Sequence, residues 1–80
     1  MNKREMTLIY ELEGMVCVQR EKLLAYARSV HPQLGFEDIL QPQDFPSLDK
    51  DPEFRFEEGY LMGLESMLAA CRAFLNASFG

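Results

Sequence analysis

The chain has 80 residues, of which 48% are hydrophobic, and it carries 13 acidic against 8 basic side chains for a net charge of −5. A chain of this length forms one domain that buries only about 60–65% of its unfolded surface, so its apolar content predicts an oligomer. The acidic balance argues against nucleic acid and anionic membrane surfaces as partners, because both attract basic proteins.

Location is predicted from the start of the chain and from its cysteines. The first residues are charged, and an acidic, amphipathic stretch follows them instead of an apolar signal core. No apolar run approaches the ~18–20 residues of a membrane-spanning helix. Cys17 and Cys71 lie far apart and form no CxxC motif. We therefore expect a cytoplasmic protein with reduced thiols.

Hydrophobic periodicity divides the chain into three segments: a helix over about 3–31, a connection over 32–50 and a helix over about 52–78. This pattern predicts an all-α fold. Its architecture is a helical hairpin of two long antiparallel helices with a long ordered connection, forming a single domain over 1–80. Dimerisation of such a hairpin would give a four-helix bundle.

The first helix carries a sustained heptad that predicts a packing face. Its members are Ile9, Leu12, Val16, Gln19, Leu23, Tyr26 and Val30, and the face is widened by Leu8 and Met15 on one side and by Ala27 on the other. Gln19 is the polar member, and it either fixes the register of the helices or lies at the rim and reaches water. A weaker second stripe consists of Met6, Tyr10, Cys17 and Leu24.

The connection begins at Pro32, which disfavours helical backbone in the residue before it. Apolar residues recur along the connection at Phe36, Ile39, Leu40, Phe45 and Leu48. They either fold back and close the end of the bundle or form a docking segment. We favour closure, because long ordered loops usually pack by their own side chains.

The second helix starts clearly, since Asp51 can cap it and Pro52 suits its first turn. Glu53, Glu57 and Glu58 near this start complement the helix dipole. A row of large residues follows at Leu61, Leu64, Leu68, Cys71 and Leu75. Phe56, Tyr60, Met67 and Phe74 are expected to widen this row.

A second row on this helix, the small-residue stripe, contains Gly59, Gly63, Ser66, Ala70, Ala73 and Ala77. Glycine inside a helix costs about 0.5–1 kcal/mol relative to alanine, so two glycines one turn apart indicate a surface that another backbone approaches. We predict an interface made of the small-residue stripe and the second stripe of the first helix.

No residue pattern indicates a catalytic, cofactor or metal site. His31 is the single histidine and adjoins a proline at a helix end, and no Glu-x-x-His or Glu-x-x-Glu spacing occurs on either helix. We therefore expect a protein that is not an enzyme. The alternative is an enzyme or ligand binder whose site forms between protomers, with Glu57, Glu58 and Glu65 as its acidic groups.

The function that the sequence favours is a small protein–protein interaction module, such as an adaptor, co-chaperone or regulator. It would act by helix packing, either as a homodimer or with another helical protein. A weaker alternative is an acidic mimic that binds a basic partner, but the acidic residues are spread along the chain and do not gather on one face.

Overall fold

The computed structural model describes the backbone of residues 2–79 and the side chains of residues 2–77. The elements are α1 (Lys3–Val30), α2 (Phe36–Ile39), a 3-10 turn (Pro42–Asp44), α3 (Pro46–Asp49) and α4 (Pro52–Phe79). There is no β-strand in this part of the chain. The long helices α1 and α4 pack against each other in opposite directions, so the predicted all-α helical hairpin is confirmed.

Local hydrogen bonds fix both ends of α1. The Asn2 side chain accepts a hydrogen bond from the Glu5 backbone N–H at 2.9 Å, and the Glu5 carboxylate accepts one from the Asn2 backbone N–H at 3.3 Å. This reciprocal arrangement is a capping box. At the other end the His31 N–H donates to the Ala27 carbonyl at 2.9 Å, and Pro32 follows where the helix stops.

The buried seam of α1 follows the predicted heptad through most of the helix. Its buried residues are Ile9, Leu12, Val16, Gln19, Leu23 and Ala27. The last turn differs from the prediction, because Tyr26 is half-buried, Val30 is exposed and Ala27 is fully buried. A straight helix drifts by about 20° per heptad from a 3.5-residue repeat, so the seam moves to the next position after three heptads.

The start of α4 is confirmed at Asp51. Its Oδ1 accepts hydrogen bonds from the backbone N–H groups of Glu53 at 2.9 Å and Phe54 at 3.2 Å. The predicted large-residue row then faces α1: Leu61, Leu68 and Leu75 are buried, and Leu64 and Cys71 are half-buried against the core.

The connection folds back onto the end of the hairpin, as expected. Leu34, Ile39 and Leu48 are buried, while Phe36 and Phe45 are half-buried against the same core. Leu40 is the exception, because it is exposed.

The hairpin is elongated. Its principal extents are 45 × 19 × 17 Å and its radius of gyration is 15.3 Å, whereas a compact domain of this length has a radius of gyration of about 12 Å. A two-helix layer leaves the far sides of both helices open, so much of the apolar content is at the surface.

Candidate protein interaction surface

The two long sides of the hairpin, where α1 meets α4, have different chemistry. On one side, here called the polar edge, ion pairs link the two helices. Arg72 Nη2 lies 2.6 Å from Glu13 Oε1, and Arg20 Nη2 lies 3.6 Å from Glu65 Oε2. The guanidinium of Arg20 also lies over the Phe36 ring, 4.9 Å from its centre, so α2 covers part of this edge.

The opposite side, the apolar edge, is formed by Leu8 and Met15 of α1 and by Tyr60, Met67 and Phe74 of α4. Leu8 lies across a groove of ≈350 Å³ from Ala70, Cys71, Phe74 and Leu75, which identifies the side of the hairpin that these residues share. The five residues of the apolar edge are each 46–72% exposed. The prediction that Leu8 and Met15 widen the packing face of α1 is therefore wrong. This edge therefore carries a row of exposed apolar side chains, and Lys22, seven positions after Met15, lies at the end of the row in an ion pair with Glu57.

The three α4 residues of the apolar edge differ from their predicted placement. Tyr60, Met67 and Phe74, together with Phe56, were expected to widen the row that packs on α1. They are instead 51–72% exposed, because the single helix α1 covers only a narrow part of the circumference of α4. They share the seven-residue spacing of Leu61, Leu68 and Leu75 but each comes one position earlier, which places them about 100° away around the helix.

The small-residue stripe lies outside the contact between α1 and α4. Gly59, Gly63, Ser66, Ala70, Ala73 and Ala77 are all exposed. A Cβ atom added at Gly59 or Gly63 would meet no neighbouring atom within 4 Å. No contact within the hairpin therefore requires these glycines. Gly63 and Ala70 adjoin the large exposed residues of the apolar edge, because they are three or four positions away along the same helix.

The second stripe of α1 lies on the other side of the molecule. Met6, Tyr10 and Cys17 are exposed and Leu24 is half-buried. Cys17 and Leu24 each follow a residue of the polar edge, Glu13 or Arg20, by four positions, so they share its face of α1. The hairpin thus separates the two stripes that the sequence assigned to one interface, and Leu8 and Met15 are the α1 residues that accompany the α4 surface.

The acidic residues considered for a site between protomers each have a partner within the chain. Glu57 binds Gln19 and Lys22, Glu58 accepts a hydrogen bond from Arg55 at 2.7 Å, and Glu65 pairs with Arg20. The hydrogen bond to Glu58 raises the pKa of Arg55 above its ordinary value. Within residues 2–77, no group of three His, Cys, Asp or Glu side chains is arranged to hold a metal ion.

A second opening of ≈300 Å³ lies on the polar edge between α2 and α4. Its floor is apolar and Glu58 and Glu65 line its rim; the apolar residues are Leu23, Phe36, Ile39, Leu40, Leu61 and Met62. The carboxylates at this rim pair with Arg55 and Arg20, so this opening is more polar than the groove at the apolar edge.

No described helix is both long enough and apolar enough to cross a membrane. Comparison of the chain with protein-family models, with curated proteins and with solved structures finds no match.

Proposed function

We propose that this protein is a non-enzymatic protein–protein interaction module that binds its partner by helix packing at the apolar edge. The observation that carries the proposal is the row of large apolar side chains on that edge, which the fold leaves about half exposed or more. Contiguous exposed apolar surface of this kind, bordered by polar residues, is characteristic of protein interaction sites.

The total exposed area supports this proposal. The chain exposes 5601 Å², whereas folded monomers of 9.2 kDa expose about 4900 Å² by the usual scaling with mass. The excess of about 700 Å² is close to the ~800 Å² that one partner contributes to a standard protein interface. Burial of one long side of the hairpin would remove this excess.

Charge and cysteine usage favour a protein partner in the cytoplasm. A net charge of −5 disfavours nucleic acid, because binding to phosphates requires basic side chains. Cys17 and Cys71 are both free thiols, as is usual for cytoplasmic proteins.

Photo-cross-linking in the cell that produces the protein tests the proposal. A benzophenone amino acid replaces Met67 on the apolar edge or, as a matched control, Met62, which lies on the same helix with similar exposure but lines the opening on the polar edge. We expect a protein adduct from position 67 and none from position 62. The absence of an adduct at position 67, or equal adducts at both positions, would refute the proposal.

A further inference from the structure

Large and small residues alternate in a regular order where α4 borders the apolar edge. The large residues Tyr60, Met67 and Phe74 recur every seven positions, and the small residues Gly63, Ala70 and Ala77 recur at the same interval between them. The combined spacing of 3-4-3-4-3 describes one seam along a helix, of the kind found between packed helices. This seam is about 26 Å long at 1.5 Å per residue.

The alternation of large and small residues makes the seams of two α4 helices complementary when the helices run antiparallel, but not when they run parallel. When two copies of α4 run antiparallel about a two-fold axis between Leu68 and Ala69, each large residue faces a small one. The facing pairs are Tyr60 with Ala77, Gly63 with Phe74 and Met67 with Ala70. In a parallel pair, large residues would face large ones and glycine would face glycine.

From this self-complementarity we infer, on the basis of the proposed function, that the occupant of the apolar edge is a second copy of this chain. The two hairpins pack with antiparallel α4 helices about a two-fold axis. An isologous interface requires one patch that fits itself, and the seam has this property. Leu8 and Met15 of each protomer then face α1 of the partner copy, so the dimer is a four-helix bundle.

The exposed apolar area of this side supports such a dimer. Tyr60 is 51% exposed and Phe74 is 72% exposed. These two side chains alone offer about 250 Å², taking about 200 Å² for a whole aromatic side chain. Leu8, Met15, Met67 and the backbone beside Gly63 extend the patch towards the ~800 Å² per partner of a stable interface. The small residues allow the two α4 axes to approach closely.

The first test measures solution mass by light scattering over a concentration series. The parent chain should be a dimer. Ala70→Met places two large residues in the same layer and should raise the dimer dissociation constant at least about tenfold, because overpacking is unfavourable. The double variant Met67→Ala, Ala70→Met restores a large residue opposite a small one, and should recover dimerisation to within about threefold of the parent.

The matched control is Ala69→Met, which makes the same change at an exposed position one residue earlier on α4, and we expect it to leave the dimer unchanged. A parent that stays monomeric at every concentration would overturn the inference. If the double variant does not recover dimerisation, the proposed facing of Met67 with Ala70 of the second copy is overturned. Helix content measured by circular dichroism shows that each variant is folded.

The second test measures the direction of α4 in the dimer. A spin label is placed at Glu53→Cys in a chain with Cys17→Ser and Cys71→Ala. The antiparallel arrangement separates the two labels by about 46 Å along the helix axis, since position 53 lies about 23 Å from the two-fold axis. A separation of 45 Å or more supports the inference, and one below about 30 Å, as in a parallel pair, overturns it.

These outcomes are separable from those of the proposed function. If the cross-link from position 67 joins the chain to a different protein and the purified chain is monomeric, the proposed function holds and the second copy is excluded. If position 67 gives an adduct of twice the chain mass of 9.2 kDa, both are supported.

Discussion

Gln19 and Glu57 are buried polar side chains within an otherwise apolar seam, with exposures of 6% and 5%. The Gln19 side-chain amide donates to the Glu57 carboxylate at 2.5 Å and to the Glu57 backbone carbonyl at 3.0 Å. Lys22 Nζ lies 3.4 Å from the other carboxylate oxygen. Because each polar atom has its partner at only one alignment of the helices, the pair specifies the register of α1 against α4.

Replacement of one member of this pair should be more harmful than replacement of both. Gln19→Leu leaves the buried carboxylate of Glu57 without its amide donor, and we expect the free energy of unfolding to fall by about 1–3 kcal/mol. Gln19→Leu with Glu57→Leu removes both polar groups and should recover most of that loss. Denaturant unfolding at a fixed protein concentration measures this cycle, and a double variant less stable than Gln19→Leu alone would contradict it.

Tyr26 and Asp51 link the end of α1 to the start of α4. The Tyr26 hydroxyl donates to Asp51 Oδ2 at 2.8 Å. This hydrogen bond, followed by that from the Phe54 backbone N–H, lowers the pKa of Asp51 below its ordinary value of 3.8. The same hydrogen bond also raises the pKa of Tyr26 above its ordinary value of 10.0.

The stabilisation from this contact should depend on pH. A lowered pKa in the folded state stabilises the fold above the unfolded pKa of about 4 and ceases to do so as the pH falls through the folded value. The raised pKa of Tyr26 means that the contact stabilises the fold fully below the unfolded pKa of about 10, and that this stabilisation is lost as the pH rises through the folded value. We therefore expect Tyr26→Phe to lower the melting temperature more at pH 7 than at pH 2.

The control for the Tyr26 prediction is Tyr10→Phe, at a tyrosine on the same helix that is 60% exposed. Its effect should be small at both pH values. An equal loss of melting temperature for Tyr26→Phe at pH 7 and pH 2 would show that the Asp51 carboxylate is not responsible.

The connection acts as one structural element, although it contains only short helices. Ile39 and Leu48 are among the most deeply buried side chains described. The His31 ring packs near Phe45 at 5.8 Å between centres and approaches the Ser47 hydroxyl at 2.5 Å. Asp38 caps α2 by accepting from the Gly35 N–H at 2.8 Å. These contacts close the end of the hairpin and position the start of α4.

Truncation within the connection should affect stability according to burial. Leu48→Ala creates a cavity in the core and should lower the free energy of unfolding by about 2–5 kcal/mol. Leu40→Ala, in the same connection but 64% exposed, should change it by no more than about 0.5 kcal/mol. Denaturant unfolding at equal protein concentration compares the two variants. A similar effect of both would mean that the connection does not contribute to the core.

At the scale of the whole molecule, the two long sides of the hairpin differ in how they are covered. Ion pairs and α2 cover the polar edge, whereas the apolar edge leaves large side chains in contact with solvent. The exposed ion pairs contribute little to stability, about 0–1 kcal/mol each. Burial of the apolar edge would therefore add more to the stability of the fold than the exposed ion pairs of the polar edge do.

If the apolar edge is buried between two copies, stability should depend on concentration. A folded dimer that dissociates on unfolding has a melting temperature that rises with protein concentration. We expect this rise for the parent chain and its loss for Met67→Glu, which places a charge in the seam. Met62→Glu, with the same change on the polar edge, should retain the rise. A melting temperature independent of concentration in the parent would contradict the dimer.

Local chemistry in the sequence determined the helices and most of the core. The heptad from Ile9 to Leu23, the proline after His31 and the cap at Asp51 act through neighbours in sequence, and each lies where the pattern predicts. Phe54 is fully buried and lies seven positions before Leu61, in line with the large-residue row of α4. The seven-residue periodicity could therefore have predicted that Phe54 belongs to the core. The buried seam of α1 moves from the predicted Tyr26 to Ala27 because a straight helix drifts from the heptad repeat over several turns.

Only the tertiary structure decided which apolar residues remain exposed. Periodicity assigns Tyr60, Met67 and Phe74 to the face of α4, but it does not say how much of that face a single neighbouring helix covers. The side of α1 that lies beside them depends on how the helices are rotated about their own axes. That rotation is set by buried contacts between residues far apart in sequence, such as Gln19 with Glu57 and the packed core of both helices. The candidate surface therefore includes Leu8 and Met15 instead of Met6 and Tyr10.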